Sequence, residues 1–506
     1  MIGEIMGLLR AETEYGIIEG TYSGIPEISV FKGIPYASAP LGKLRWMPPV
    51  PPRKWTGIYH ADQFRAIPSQ VEERHPFYAR EFYRCRKPMS EDCLYLNIWT
   101  PANNLGENLP VMFWIHGGGY KSGYSHEITM DGDAMAKKGV ILVTIEYRLG
   151  SLGYLAHKEL IDHITGACGN YGLLDQIAAL KWVRNNIRAF GGDPDNITVF
   201  GQSAGALSVV NLITSPLCKN DIAKAIMQSA GGYSGSYDAI KMYKQNEAEQ
   251  YGEAFLRYLN CSSIDEARSI PADRLVEFER IFIEEIHHEF SFAPIVDGYS
   301  QLRSCSELVR NYAYLNIPYM VGATEFENGA FTYLPLPDRK DFVHSIQTRF
   351  GVDAEEFLRV IDFENNPDKA IRHGGWDDVL KPAIFAWADH SAKQTDLKSV
   401  YLYHFTRKMP GDSAGAYHSA ELWYVFQTLH RCWRELTGVD FDLSRVMVSY
   451  WTNFAKSGDP NGDGLPEWTP YTKYNRRSME LGERIGMTDY IGNERIRYIV
   501  DRILQG

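Results

Sequence analysis

The feature that most restricts what this chain can fold into is the alternation of short apolar runs with one long helical pattern. "VMFWIHGG" (111–118) and "VILVTIEY" (140–147) are continuous apolar runs of strand length. "LLDQIAALKWVRNNIRAF" (173–190) then shows a helical period in Leu173, Ile177, Leu180 and Val183, and "NITVFG" (196–201) follows as another strand. Runs that are apolar throughout must be covered on both faces, which parallel strands joined by helical crossovers achieve. The pattern predicts an α/β fold with a large, mostly parallel central sheet flanked by helices. "GGDP" ends the long helix, with Gly191 as its C-terminal cap. Further strands are expected at "IPYMVGAT" (317–324) and "VYLYHF" (400–405). Residues 235–290 and 336–400 read as mainly helical and polar-faced, as insertions forming a lid over a sheet would. With no internal repeat, low-complexity tract or linker, one domain over residues 1–506 is expected.

Composition removes several classes of function. At 506 residues and 44% hydrophobic, the chain can bury a large core. Its 63 acidic against 52 basic residues give a net charge of −11, which argues against a nucleic-acid partner. "MIGEIMGLLRAETEYG" lacks a basic leading region, and Gly3, Glu4 and Gly7 interrupt its apolar run, so no secretory signal is expected. No stretch approaches the roughly 18 apolar residues of a membrane span. The seven cysteines (85, 93, 168, 218, 261, 305, 432) are odd in number, sparse and without CxxC or Cys/His spacing. That reads as reduced thiols in a cytoplasm, with no disulfide framework and no structural zinc. The sequons at Asn196 and Asn260 do not alter this, since Asn196 opens a strand.

Chemistry concentrates at Gly201-Gln202-Ser203-Ala204-Gly205. A strand turning directly into a helix forces its corner residue into strained backbone angles, and side chains two positions either side would strike the neighbouring strand and helix. Glycines there remove the clash and leave the serine exposed at a helix N-terminus, where developing negative charge is favoured. G-x-S-x-G alone also fits an ordinary tight turn; the strand before it and the helix-compatible "AGALSVVNLI" after it favour a nucleophile. An acyl-transfer site also needs main-chain donors for an oxyanion. "WIHGGGYKSG" (114–123) supplies a glycine loop directly after a strand, and it fits neither G-x-G-x-x-G nor the phosphate loop G-x-x-x-x-G-K-[ST].

"SEDCLYLNIWTP" (90–101), "HGGGY", "GNYGLLDQIAALKWVRNNIRAFGGDPDNITVFGQSAGA" (169–206), "FKGIPYASAPLGKLRW" (31–46) and "YWTNFAKSGDPN" (450–461) resemble the type-B carboxylesterase and cholinesterase family of α/β-hydrolases. The likeness runs over nearly the whole chain. It implies a serine carboxylesterase with a Ser-Glu-His triad in that chain order. "YMVGATEFENGAF" (319–331) resembles the segment of the acid and puts Glu327 at its position, although the usual Asp-Glu-Gly is Phe326-Glu327-Asn328 here, which leaves Glu325 as a minor rival. "GAYHSAELWYVF" (415–426) resembles the histidine loop and points to His418. The resemblance also implies an oxyanion hole from the amides of Gly118, Gly119 and Ala204, and no metal or organic cofactor; it makes Ser229 a candidate to support Glu327, with an ordinary strand-end serine an equal reading.

The pocket is read from the same likeness. "HEFSFAPIVDG" (288–298) resembles the acyl-pocket segment and makes Phe290 and Phe292 candidates to line it, with plain core packing an equal reading for Phe292. Cholinesterases carry a tryptophan before the "EDCL" motif to hold a quaternary ammonium. Here that loop has Tyr83 near the position, with Arg80, Arg84, Arg86 and Lys87 around it, and the residue before the serine is Gln202 where relatives commonly have Glu. Both changes make a cationic substrate unwelcome, although a solvated loop is the commoner explanation of such a charge run. The family's loop-closing disulfide is expected to be missing, since Cys93 has only Cys85 upstream. The partner expected is therefore a small uncharged or acidic ester, with neither nucleic acid nor membrane involved, and the chain a monomer or homodimer. A second hypothesis is a catalytically silent recognition domain, of which the family has examples; a third is an amidase, thioesterase or acyltransferase using the same acyl-enzyme.

Overall fold

The computed structural model describes residues 7–72, 75–83, 87–233, 241–286, 290–331, 334–394, 396–489 and 492–505. The chain divides into two compact units, Met1–Lys224 with Met242–Ser304, and Ala225–Lys241 with Cys305–Gly506.

Six sheet strands belong to the first unit: β1 (Thr21–Tyr22), β2 (Ser29–Pro35), β3 (Tyr95–Thr100), β4 (Leu109–Ile115), β5 (Ile141–Ile145) and β6 (Gly192–Gln202), in the order β6-β4-β5-β3-β2-β1. β4 runs parallel to both β5 and β6, whereas β3, β2 and β1 are added antiparallel. The apolar runs seen in the sequence are thus the parallel strands; β5, "ILVTI", is buried at every position. It is shorter than its apolar run because Glu146 and Tyr147 turn to hydrogen bonding, Tyr147 Oη donating to the His116 carbonyl at 2.9 Å. β6 is longer than expected and shifts register between Gly192 and Ile197. The crossover helix Tyr171–Asn186 continues as a 3-10 turn to Phe190 and stops at Gly191, whose φ of 81° only glycine adopts without cost. Asp175 on this helix receives a two-pronged, buried ion pair from Arg148, at 2.8 and 2.7 Å, fixing the helix to the loop after β5.

The second unit holds β7 (Lys224–Gln228, in this unit from Ala225), β8 (Tyr319–Thr324), β9 (Val400–Phe405), β10 (Ser478–Leu481) and β11 (Ile485–Thr488), in sequence order across its sheet. The first four are parallel and β11 is antiparallel. The expectation of a mostly parallel sheet holds for the middle strands in each unit and gives way to antiparallel pairing at the outer ones, so the sheet is mixed. β8 and β9 are buried throughout and pair from Tyr319 with Val400 to Thr324 with Phe405. The described parts of the segments read as helical are so, with 235–240, 287–289 and 395 outside the described residues: Gln245–Tyr258, Ile264–Arg268 and Ala272–Ile281 in the first unit, and Arg339–Phe350, Ala354–Val360, Pro367–Arg372 and Asp377–Ser391 in the second. Among the described residues no helix is long and apolar enough to cross a membrane.

Candidate active site

Ser203 stands at the corner between β6 and the helix Ala204–Thr214, with φ 57° and ψ −126°. A non-glycine residue in that region carries a strain of about 1–3 kcal/mol, which persists only where the surroundings dictate it. They do here. A β-carbon on Gly205 would lie 2.1 Å from the Ile115 carbonyl oxygen of β4, and one on Gly201 would lie 2.5 Å from the main chain of Gly205. The strand and helix therefore close on the corner from both sides, as the spacing of the glycines requires. Ser203 itself stays partly exposed.

The loop after β4 lies against this corner. A β-carbon on Gly117 would come within 2.7 Å of the Gln202 carbonyl oxygen and 3.2 Å of Ser203 Cβ. Gly118 has φ 103°, and its missing side chain would meet the Ser122 carbonyl at 2.1 Å. The Gly118 carbonyl accepts from the Lys121 and Ser122 amides at 3.1 and 3.0 Å, which turns the loop. The amides of Gly118 and Gly119 donate to no acceptor among the described residues. Ala204, at the first helical position, has no acceptor within its own helix. Gln202 is buried beside the loop and does not stand in open solvent. A cleft of about 210 Å³ borders Gly119 and has Phe292 in its wall. Phe290 lies behind: it stacks on Tyr251 at 4.1 Å and meets Phe292 edge-on at 5.0 Å. Tyr83 packs against Tyr124 at 6.0 Å and hydrogen-bonds to Glu127. Arg84 and Arg86 of the basic loop, and Cys85, lie outside the described residues.

In the second unit, His418 Nδ1 and Glu327 Oε2 are 2.5 Å apart, both buried. The pair is assembled by main chain: the Phe326 amide donates to the Ala416 carbonyl at 3.0 Å, joining the loop after β8 to the loop after β9. Glu327 Oε1 accepts from the Thr324 amide at 2.8 Å, and Asp377 Oδ1 accepts from the Glu327 amide at 3.0 Å. The rival Glu325 points elsewhere: its side chain is 45% exposed and lies 2.7 Å from His404 Nε2, whereas that of Glu327 is fully buried. Ser229 follows β7 directly. Its Oγ is buried with no hydrogen-bond partner among the described residues.

Electrostatics around His418 come from carboxylates. Burial disfavours its charged form, but Glu327, then Glu421 and Asp377, outweigh that and raise its pKa above the ordinary value. Burial pushes Glu421 up to about 7, with Glu327 adding to it; its Oε1 accepts from Gln228 Nε2 at 3.3 Å. Burial likewise lifts Asp377 to about 6 against the pull of Lys381. The Trp376 indole lies parallel to the imidazole at 6.3 Å and shares a cleft of about 650 Å³ with Asn328, Phe331 and Phe342. Sequence reading missed Trp376, Asp377 and Glu421. Glu421 sits three residues after His418 and was within reach of a search for acids near the histidine; Asp377 is 50 residues from its partner and gives no local signal.

The first unit thus holds a strained serine corner beside undonated amides, and the second a buried histidine–carboxylate pair. The model of the Carboxylesterase family matches residues 9–499. The chain belongs to that family. It is similar to fumonisin B1 esterase of Sphingopyxis macrogoltabida, at 34% identity over 96% of this chain and 88% of the other, and to para-nitrobenzyl esterase of Bacillus subtilis, at 34% over 94% of each. Among solved structures, a thermophilic para-nitrobenzyl esterase superposes with a TM-score of 0.83 at 30% identity, covering 97% of this chain and 99% of that one. A carboxylesterase of Geobacillus stearothermophilus does so with 0.83 at 33%, covering 97% and 100%. The protein is thus a carboxylic ester hydrolase with the α/β-hydrolase fold.

Proposed function

We propose that the enzyme hydrolyses carboxylic esters of modest size through an acyl-enzyme on Ser203, with His418 as general base and Glu327 as the acid of the triad. The observation that carries this is the Ser203 corner, held at positive φ with Gly117 packed against it and the Gly118 and Gly119 amides undonated. His418 takes the hydroxyl proton as Ser203 Oγ bonds to the ester carbonyl carbon; Glu327 holds the Nδ1–H tautomer and stabilises the imidazolium. The amides of Gly118, Gly119 and Ala204 receive the tetrahedral oxyanion. His418 then gives the proton to the leaving alcohol, and water, activated by the same base, releases the acid and restores the serine. These steps use no metal or organic cofactor. The span of a single family model over residues 9–499 supports one domain, and the free state of all six described cysteines supports a reducing, cytoplasmic setting.

The test is Ser203→Ala, assayed on p-nitrophenyl butyrate. Turnover is expected to fall by roughly a million-fold, because triad members act as a unit. Hydrolysis near the wild-type rate by the purified variant would refute the assignment.

A further inference from the structure

The cleft beside the oxyanion loop is not purely apolar. Val71, Leu149, Val276 and Phe292 give it an apolar wall, and Glu72, Lys121, Arg280, Glu284 and the carboxylate of Glu279, near the end of the helix Ala272–Ile281, line the rest. Glu279 is half-buried and firmly oriented. Its Oε2 accepts the Ser151 amide at 2.7 Å, while the neighbouring Gly150 amide donates to the Tyr120 carbonyl at 2.7 Å, one residue beyond Gly119. Two hydrogen bonds therefore link this carboxylate to the loop that carries the proposed oxyanion donors. A β-carbon on Gly150 would lie 2.5 Å from Glu279 Oε1, so the glycine leaves that oxygen its room.

The second oxygen keeps accepting capacity. The Ser151 hydroxyl also approaches the carboxylate, but no other side chain among the described residues hydrogen-bonds to Glu279, and no basic one lies within ion-pair distance of it. Arg280, the adjacent cation in the cleft wall, is already bound to Glu277 and Glu284 at 2.8 and 2.7 Å. Lys121 acts on Glu279 only through space; burial raises the carboxyl, and the Ser151 amide, the Ser151 hydroxyl and Lys121 pull it back. An oriented acceptor beside an apolar wall discriminates between substrates, since one lacking the matching donor leaves the acceptor without a partner from the ligand.

We infer that Glu279 is a specificity-determining residue: the cleft takes the apolar chain of an ester that ends in a hydrogen-bond-donating group, a hydroxyl or an ammonium, and Glu279 Oε1 receives that donor. The inference rests on the Ser203 reading and deepens it. It also refines the expectation of purely uncharged or acidic esters drawn from Gln202 and the basic loop.

The experiment compares kcat/KM for p-nitrophenyl hexanoate and octanoate with that for their ω-hydroxy and ω-amino counterparts, in the wild type, Glu279→Gln and Glu279→Leu. The wild type is expected to favour at least one donor-bearing ester by about tenfold at one of the two lengths, through a lower KM. Which counterpart is favoured separates hydroxyl from ammonium. Glu279→Gln can still accept the Ser151 amide, so it keeps the fold; it should retain most of a hydroxyl preference and lose an ammonium preference about tenfold. Glu279→Leu should lose either. A wild type that favours neither donor-bearing ester, or a preference that survives in Glu279→Leu, or an ammonium preference that survives in Glu279→Gln, overturns the inference while leaving ester hydrolysis at Ser203 intact. A wild type that turns over none of these esters overturns the Ser203 reading instead, and this one with it.

Discussion

At Ser203 the first unit works almost entirely with main chain, through glycines without side chains, a strained φ and amide donors. At His418 the second unit works with buried, titratable side chains: Glu327 on the imidazole, Asp377 on the Glu327 amide, and Glu421 near both. On the proposed mechanism, the difference reflects what a nucleophile and a base each need from their surroundings. A hydroxyl that must become an oxyanion's neighbour is helped by fixed dipoles, which need no proton of their own. An imidazole that must gain and lose a proton is tuned by groups that titrate beside it.

Removing one member from each unit should expose that contrast. Glu327→Gln keeps the shape but loses the acceptor that fixes the imidazole, and a loss of roughly ten-thousandfold in kcat is expected. If steady-state kinetics show a loss of only a few fold, Glu327 is not the acid. Gly118→Ala pushes a β-carbon onto the Ser122 carbonyl and swings the donor loop away, so kcat should drop by roughly 100- to 1,000-fold with Ser203 and His418 untouched. Unchanged kcat in a folded variant would exclude Gly118 from the oxyanion hole.

Smaller effects follow from proton equilibria. Because His418 is raised above its ordinary 6.5, kcat/KM is expected to climb with pH through a midpoint above 6.5 and then level as the imidazolium loses its proton. Glu421→Gln removes one of the carboxylates that hold that proton, so the midpoint should move down. An identical pH profile in the variant would take Glu421 out of the account. Stability gives an independent reading with a fixed sign. The Glu421 carboxyl is raised from 4.5 to about 7, so its contribution favours the fold below 4.5 and is lost as pH climbs towards 7. Urea melts should therefore show Glu421→Gln gaining on the wild type across that window.

The same contrast explains what could be read in advance. Gly201, Ser203 and Gly205 lie within five residues, and their meaning follows from sterics between adjacent elements, so the corner and its donor loop were legible in the chain. The parallel strands were legible too, because strands buried on both faces must be apolar throughout. The outer antiparallel strands carried no such mark. His418 and Glu327 came only from likeness to a family, since the pair depends on a main-chain bridge between Phe326 and Ala416, 90 residues apart. Asp377, Trp376 and the orientation of Glu279 depend on tertiary approach alone. Ser229 marks the limit of likeness: the position matched a motif, but its hydroxyl makes no hydrogen bond among the described residues.

Ser203's backbone angle also sets the direction in which this sequence can drift. Glycine accepts φ 57° freely, so Ser203→Gly relieves strain in the folded state while deleting the nucleophile. A gene copy released from selection for turnover would thus find inactivity and a firmer fold at the same codon. Thermal melts of Ser203→Gly beside Ser203→Ala measure that bias, and a glycine variant melting below the alanine one would show that the corner carries no strain to release.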